Sequence, residues 1–201
     1  MRVGLTGGIG SGKSTVAGLL GRAGAAIVDT DAISRALTLP GGAAMPAIAQ
    51  AFGADFVGAD GALDRDRMRA LAFSDTGAKR RLEAILHPLI TNEALAQADA
   101  ARAPLVVFDV PLLVESGRWR SRVARVLVVD CSVETQVVRV LQRPGWTMER
   151  VQGALAAQTS RQARRAAADA VLLNDGISLA ALEMEARSLA ARWGCETIAA
   201  P

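Results

Sequence analysis

Tyrosine is absent from this 201-residue chain, aromatic residues make up only 3% of it, and His87 is the single histidine. With hydrophobic residues at 51%, the core must therefore be aliphatic and rich in alanine. One histidine removes His-rich metal sites and argues against a Ser-His-Asp hydrolase. The two cysteines, Cys131 and Cys195, lack metal-ligand spacing and read as buried thiols in a reducing compartment. No apolar run reaches membrane-spanning length, and the N-terminus enters a strand without a charged-then-apolar leader. The expectation is a cytoplasmic protein without a membrane partner. Lysine is scarce too: Lys13 and Lys79 are the only two among 23 Lys and Arg.

The length suits one domain, with room for an inserted lobe and a sizeable core. A net charge of +3 and an isoelectric point near 9.5 suit small polyanionic substrates at least as well as nucleic acid. The densest basic run, Arg118, Arg120, Arg122 and Arg125 around Trp119, reads as a solvated face or helix end rather than a nucleic-acid patch. No nucleic-acid partner is expected. Internal repeats and low-complexity segments are absent, apart from the alanine bias.

The chain is organised around Gly7-Gly8-Ile9-Gly10-Ser11-Gly12-Lys13-Ser14, directly after the apolar start Val3-Gly4-Leu5-Thr6. It fits G-x-x-x-x-G-K-[ST], with a strand expected before it and a helix after. Its glycines open backbone conformations in which successive N–H groups turn inward on a phosphate. The helix beginning near Lys13 adds its dipole and unpaired amide hydrogens. Lys13 can reach the β- and γ-phosphates, and the Ser14 hydroxyl can ligate Mg²⁺. A chain that otherwise selects arginine uses lysine here, where a compact ammonium on a flexible stem is wanted. These features predict a nucleotide-binding protein.

Val16, Leu19 and Leu20 mark the buried stripe of a first helix. Ala26–Val28 reads as a short strand delivering Asp29-Thr30-Asp31 at its C-terminal end, where ligands bind in open α/β sheets. Asp29, Thr30 or Asp31 could each cap the helical segment Ala32–Leu37, leaving a carboxylate for chemistry. After Pro40-Gly41-Gly42, helices are expected over Ala43–Phe52, Leu63–Phe73 and Ala78–Leu86, with a loop over Gly53–Gly61. His87-Pro88 is read as an interruption, Pro88 opening a new helix through Glu93–Ala100. On residue chemistry alone, His87 is a cap or packing residue.

Leu105–Phe108 is an apolar strand closed by Asp109, an acid that can enter the Mg²⁺ shell beside Ser14. Arg125–Val129 is another, closed by Asp130. Ser132 and Glu134 open a helix that would carry Arg139 and Arg143 on one face. Beyond Pro144-Gly145-Trp146-Thr147, one long helix from Met148 to about Ala167 bears Arg150, Gln158, Arg161, Arg164 and Arg165. These two arginine-bearing helices read as a lid over phosphates or as surface helices with snorkelling arginines. Ala170–Leu173 is a last strand and Leu179–Trp193 an amphipathic helix.

Alternating strands and helices behind a phosphate loop imply a three-layer α/β domain with a mostly parallel sheet. The guanine-reading Asn-Lys-x-Asp motif is absent, which excludes a small GTPase. A small-molecule kinase remains, with a nucleotide-sensing binding module as the alternative of a different class.

Ordered motifs then identify a family. Thr6–Thr15, Val28-Asp29-Thr30-Asp31, Pro40-Gly41, Phe52-Gly53, Asp60-Gly61-x-Leu63-Asp64-Arg65 and Leu82-Glu83-x-Ile85-x-His87-Pro88 follow one another along the chain. Asp109-Val110-Pro111-Leu112-Leu113-x-Glu115, Gln136-x-x-Arg139-x-x-x-Arg143, Gln158, Arg164 and Ala168-Asp169-x-Val171-x-x-Asn174-x-Gly176 complete the series. Together they resemble the dephospho-CoA kinases over nearly the whole chain.

The resemblance implies a P-loop kinase fold with a core of 1–38, 104–135 and 168–201, a helical substrate lobe of about 39–103 and a lid of about 139–167. It implies ATP, Mg²⁺ and dephospho-CoA as partners, with phosphorylation of the ribose 3′-hydroxyl to give coenzyme A. By matching position, Asp31 directs the hydroxyl proton, while Lys13 and Arg143 act on the transferred group. Gly8, Ile9, Gly10, Ser11, Gly12, Lys13, Ser14, Thr15, Arg139, Arg164 and Asn174 would hold the nucleotide, Asn174 through its adenine. His87, Pro111, Leu112 and Glu115 would line the substrate site with Asp31, and Ser14 and Asp109 would hold the metal. Thr30 stands where the family usually has alanine, and the lid turn Pro144-Gly145-Trp146 has its own character. Oligomeric state is left open, and no second fused enzyme is expected.

Overall fold

The computed structural model describes residues 1–195. Five strands form one sheet in the order β2-β3-β1-β4-β5. They are β1 (Arg2–Gly7), β2 (Ala26–Asp29), β3 (Val106–Asp109), β4 (Arg125–Asp130) and β5 (Ala170–Leu173). β1 pairs in parallel with β3 and β4, and β4 with β5. The register sets Leu5 beside Asp109 and Gly7 beside Val129. Parallel pairing brings the C-terminal ends of these strands to one edge, so the segments after Gly7, Asp109, Asp130 and Leu173 emerge together.

Near-continuous apolar strands are expected where both sheet faces are covered. On one face, Val3, Leu5, Val107, Leu127, Val129 and Leu172 pack with α1 (Lys13–Arg22) and α10 (Leu179–Arg192) through Val16, Leu19, Leu20, Leu182, Ala186 and Leu189. On the other, Gly4 admits α6 (Leu113–Ser116): a Cβ there would lie 2.3 Å from Leu113 Cδ1. Phe108 stacks on the buried Trp119 with ring centroids 5.1 Å apart. Two of the scarce aromatics thus pack on the face that α1 and α10 leave.

The chain divides into two compact units, Met1–Val28 with the chain from Ala101 onward, and Asp29–Ala100. The second unit holds α2 (Thr30–Leu37), α3 (Met45–Phe52), α4 (Arg65–Ser74) and α5 (Thr76–Ala100). Its core gathers Ala44, Met45, Ile48 and Met68 with Phe52, Leu63, Leu82, Ile85, Leu86 and Leu89.

Three sequence expectations are corrected. His87-Pro88 does not interrupt a helix, because α5 runs through Pro88. The apolar stripe Leu82, Ile85, Leu86, Leu89 continues across the proline, and its burial outweighs a helix penalty of about 3 kcal/mol. Arg143 is not on the helix of Arg139: α7 (Val133–Leu141) ends before it, with Gln142 at the cap. The long helix expected from Met148 is two, α8 (Met148–Ala156) and α9 (Arg161–Ala166). Ser160 caps α9 by accepting from Ala163 N at 3.1 Å, a local start signal that the uniform alanine background conceals.

Candidate active site

The phosphate loop follows β1 and leads into α1, as the motif requires. Gly10 and Gly12 adopt φ of +75° and +92°, and Gly12 occupies the cap position of α1 in a left-handed conformation. Glycine is needed for a second reason. A Cβ at Gly8 would lie 2.0 Å from Gln136 Nε2, and one at Gly12 would lie 2.2 Å from Asn174 Nδ2. Both neighbours are amides that grip the loop itself.

Those grips decide where the loop's N–H groups point. Gln136 Nε2 donates to Ile9 O at 2.8 Å, and Asn174 Nδ2 donates to Ser11 O at 2.8 Å. Arg139 Nη1 reaches Gly10 O and Ser11 O at 3.4 Å each. In a trans, planar peptide the C=O and the next N–H are antiparallel. Tying the Ile9 and Ser11 carbonyls outward therefore aims the Gly10 and Gly12 N–H groups to the opposite side. The opening N–H groups of α1 add to them, since they have no partner within the helix. The result is a concavity of amide hydrogens suited to phosphate.

Lys13 Nζ donates to Asp109 Oδ1 in an ion pair whose side chains are 16% and 8% exposed. The strand-end acid and the loop lysine are thus brought together. Ser14 and Thr15 are exposed on the first turn of α1. A cavity of about 410 Å³ opens beside the loop, lined by Gly10, Gly12, Thr15, Arg139, Arg143, Asn174, Ile177, Leu179 and Leu182. Arg143 keeps its place at this cavity although it lies beyond α7.

Arg164 is buried, with its Nη2 2.9 Å from where a Cβ at Gly8 of the loop would stand. Its Nη1 donates to Thr159 O at 2.7 Å and lies 3.7 Å from Glu115 Oε1, which accepts from Thr159 N at 3.1 Å. Glu115 Oε2 is buried with no hydrogen-bond partner among the described residues. Pro111 is tied to β1 by Thr6 Oγ1, which donates to its carbonyl at 2.9 Å. Leu112 points outward and Leu113 inward.

Asp31 and His87 belong to the second unit. Asp29 is the cap of α2, its Oδ1 accepting from Asp31 N at 2.8 Å and Ala32 N at 2.9 Å. That leaves the exposed Asp31 carboxylate on the first turn of α2 outside the cap. His87 is half-buried within α5.

Two further networks carry no sequence motif. Asp130, at the end of β4, accepts from Arg161 Nε and Nη2 at 2.9 and 2.8 Å and from Arg165 Nη1 at 2.8 Å. Burial alone would raise its pKa, but the hydrogen bonds from Arg161 and Arg165 hold it below the usual carboxylate range. Asp175 accepts from Thr135 Oγ1 at 2.5 Å and Ser132 N at 2.8 Å, and these bonds lower its pKa to about 2. Two of the arginines assigned to a lid, Arg161 and Arg165, are therefore occupied in bolting α9 to the sheet. Sequence reasoning also gave no role to Gln136 and Gln158, the latter accepting from Ile9 N through Oε1 at 3.0 Å. Their one sequence signal is their place in the ordered motif series.

Comparison with known proteins places the chain in a family. The family model described as dephospho-CoA kinase matches residues 1–179. The dephospho-CoA kinase of Burkholderia pseudomallei (strain K96243) is 59% identical over 191 residues, covering 95% of this chain and 94% of that protein. The crystal structure of TT1252 from Thermus thermophilus is similar at a TM-score of 0.82 and 36% identity, covering 96% of this chain and 97% of that one. A dephospho-CoA kinase from Campylobacter jejuni, 18% identical with 96% of each chain covered, shares the fold at a TM-score of 0.63. With a phosphate loop held open at the end of a parallel sheet and a family match over most of its length, this chain belongs to the dephospho-CoA kinase family.

Proposed function

We propose that the chain transfers the terminal phosphoryl group of ATP to the 3′-hydroxyl of dephospho-CoA, giving coenzyme A and ADP. The observation that carries this reading is the phosphate loop, whose carbonyls are tied outward by Gln136, Arg139 and Asn174. In the transfer, a bond forms between the ribose 3′-oxygen and phosphorus, and the bond to the β–γ bridging oxygen breaks. The hydroxyl proton passes to the Asp31 carboxylate, which the Asp29 cap leaves uncommitted. Lys13 and Arg143 offset charge on the transferred group, with Arg139 at the same cavity. Arg164, held by Thr159 O and beside Glu115, brings its Nη2 next to Gly8 of the loop and would hold the nucleotide with Arg139.

Ser14 and Asp109 supply a hydroxyl and a carboxylate, hard oxygen donors that fit Mg²⁺. That ion takes one or two protein ligands and completes its shell with water and phosphate oxygens. When bound, Mg²⁺ supplies charge neutralisation and orientation for the phosphates. The family resemblance assigns contacts with dephospho-CoA to Asp31 and His87 in the second unit, and to Pro111, Leu112 and Glu115 in the first. The lid is α8 with its flanking turns, within about 139–167, and the helical lobe takes the CoA portion. No helix among the described residues is long and apolar enough to cross a membrane. The two buried free cysteines suit a reducing cytoplasm.

The test is ADP release by the purified protein with ATP and Mg²⁺, with and without dephospho-CoA, the product being identified by mass. Dephospho-CoA-dependent ADP release with formation of coenzyme A is expected. ADP release without that product, or none, would overturn the reading.

A further inference from the structure

Ile9 of the loop has its peptide groups held by side chains on both sides. Its carbonyl accepts from Gln136 Nε2 at 2.8 Å, and its N–H donates to Gln158 Oε1 at 3.0 Å. The two bonds differ in setting. Gln136 is 3% exposed, whereas Ile9 and Gln158 are both half-buried. Every other loop residue from Gly7 to Ser11 is buried. The bond to Gln158 is also the wrong way round for an anion site, because it gives a loop N–H to a neutral acceptor.

Gln158 lies in the short connection between α8 and α9, its N–H still closing the last turn of α8 on Leu155 O at 3.2 Å. The next residue is held differently: Thr159 N donates to Glu115 and Thr159 O accepts from Arg164. Beyond it, α9 is bolted to Asp130 by Arg161 and Arg165. Thus the connection is fixed from Thr159 onward, and Gln158 ties the end of α8 to the phosphate loop.

We infer that Gln158 is a positioning residue that holds the Ile9 N–H in competition with a phosphoryl oxygen of the bound nucleotide. A charge-assisted hydrogen bond to phosphate is roughly twice as strong as a neutral one, so the anion takes the N–H and Gln158 lets go. The end of α8 is released from the loop at the moment a phosphate arrives, with the pivot between Gln158 and Thr159. This inference rests on the proposed ATP-binding role of the loop.

Calorimetric titration with ATP and Mg²⁺ of the wild-type protein, Gln158→Ala and Gln158→Glu tests it, each variant first checked for cooperative thermal melting. Removing the competitor in Gln158→Ala should tighten ATP binding about 3- to 10-fold, the worth of one net hydrogen bond, while turnover falls because α8 is uncoupled. Gln158→Glu, whose carboxylate holds the N–H more strongly and repels phosphate, should weaken ATP binding at least about 10-fold. A merely structural tie predicts the reverse for alanine. Unchanged or weakened ATP binding in Gln158→Ala, or wild-type affinity in Gln158→Glu, overturns the competition. If one variant does not fold, the other decides alone. Failure of the wild-type protein to bind ATP would instead sink the underlying functional reading.

Discussion

Lys13 and Asp109 form a hydrogen-bonded ion pair that joins the first turn of α1 to the C-terminal end of β3. The pair links the ammonium proposed for phosphate to the carboxylate proposed for metal. Breaking it from one side leaves a nearly buried charge. Lys13→Ala should cost on the order of 3 kcal/mol of stability and most of the turnover. The double variant Lys13→Met with Asp109→Leu should recover much of the stability and none of the activity. Urea unfolding beside steady-state rates checks both. Full activity in Lys13→Ala would remove the lysine from the mechanism.

Asp31 is exposed on the first turn of α2, while Asp29 does the capping. Asp31→Asn is therefore expected to leave both the helix and ATP affinity intact and to reduce kcat roughly 100- to 10,000-fold. Asp29→Asn should show smaller losses in kcat, because asparagine also caps. Comparable kcat in Asp31→Asn and the wild-type protein would reject Asp31 as proton acceptor.

Gly12 combines a φ of +92° with an Asn174 amide 2.2 Å from where a Cβ would stand. Gly12→Ala should displace Asn174, strain the loop by about 1–3 kcal/mol and weaken nucleotide binding by at least about 10-fold. Asn174→Ala should weaken binding less, since Arg139 still reaches Ser11 O. Titration of ATP into the two variants ranks them, and a stronger effect from Asn174→Ala would contradict the loop-holding role.

Asp175 and Asp130 both have pKa values lowered by their hydrogen-bond donors, Asp175 from 3.8 to about 2. A carboxyl that binds its proton less readily when folded adds stability above its unfolded pKa, and loses it as pH falls through the folded one. Stability should accordingly fall between about pH 4 and about pH 2. Asp175→Asn should flatten that part of the profile and lower the plateau above it. Thermal melting across this range is the measurement, and an unaltered slope in Asp175→Asn would count against the assignment.

What the sequence determined by itself was whatever is local. The phosphate loop is contiguous, its glycines answer backbone conformation, and its flanks announce strand and helix. The same holds for the acids closing β2, β3 and β4, for the cap Ser132 and for a cap among Asp29, Thr30 and Asp31, which act within a few residues of themselves. What only the tertiary structure decided is long-range or polar without a pattern. Gln136 and Gln158 meet Ile9 across 127 and 149 residues, and a glutamine's sequence context does not reveal which peptide it will grip. Arg161 and Arg165, equally suited in sequence to phosphate, are taken by Asp130 once β4 and α9 pack. Pro88 stays within α5 because the lobe's core buries the stripe on both sides of it. In each case local preference leaves several outcomes close in energy, and packing chooses among them.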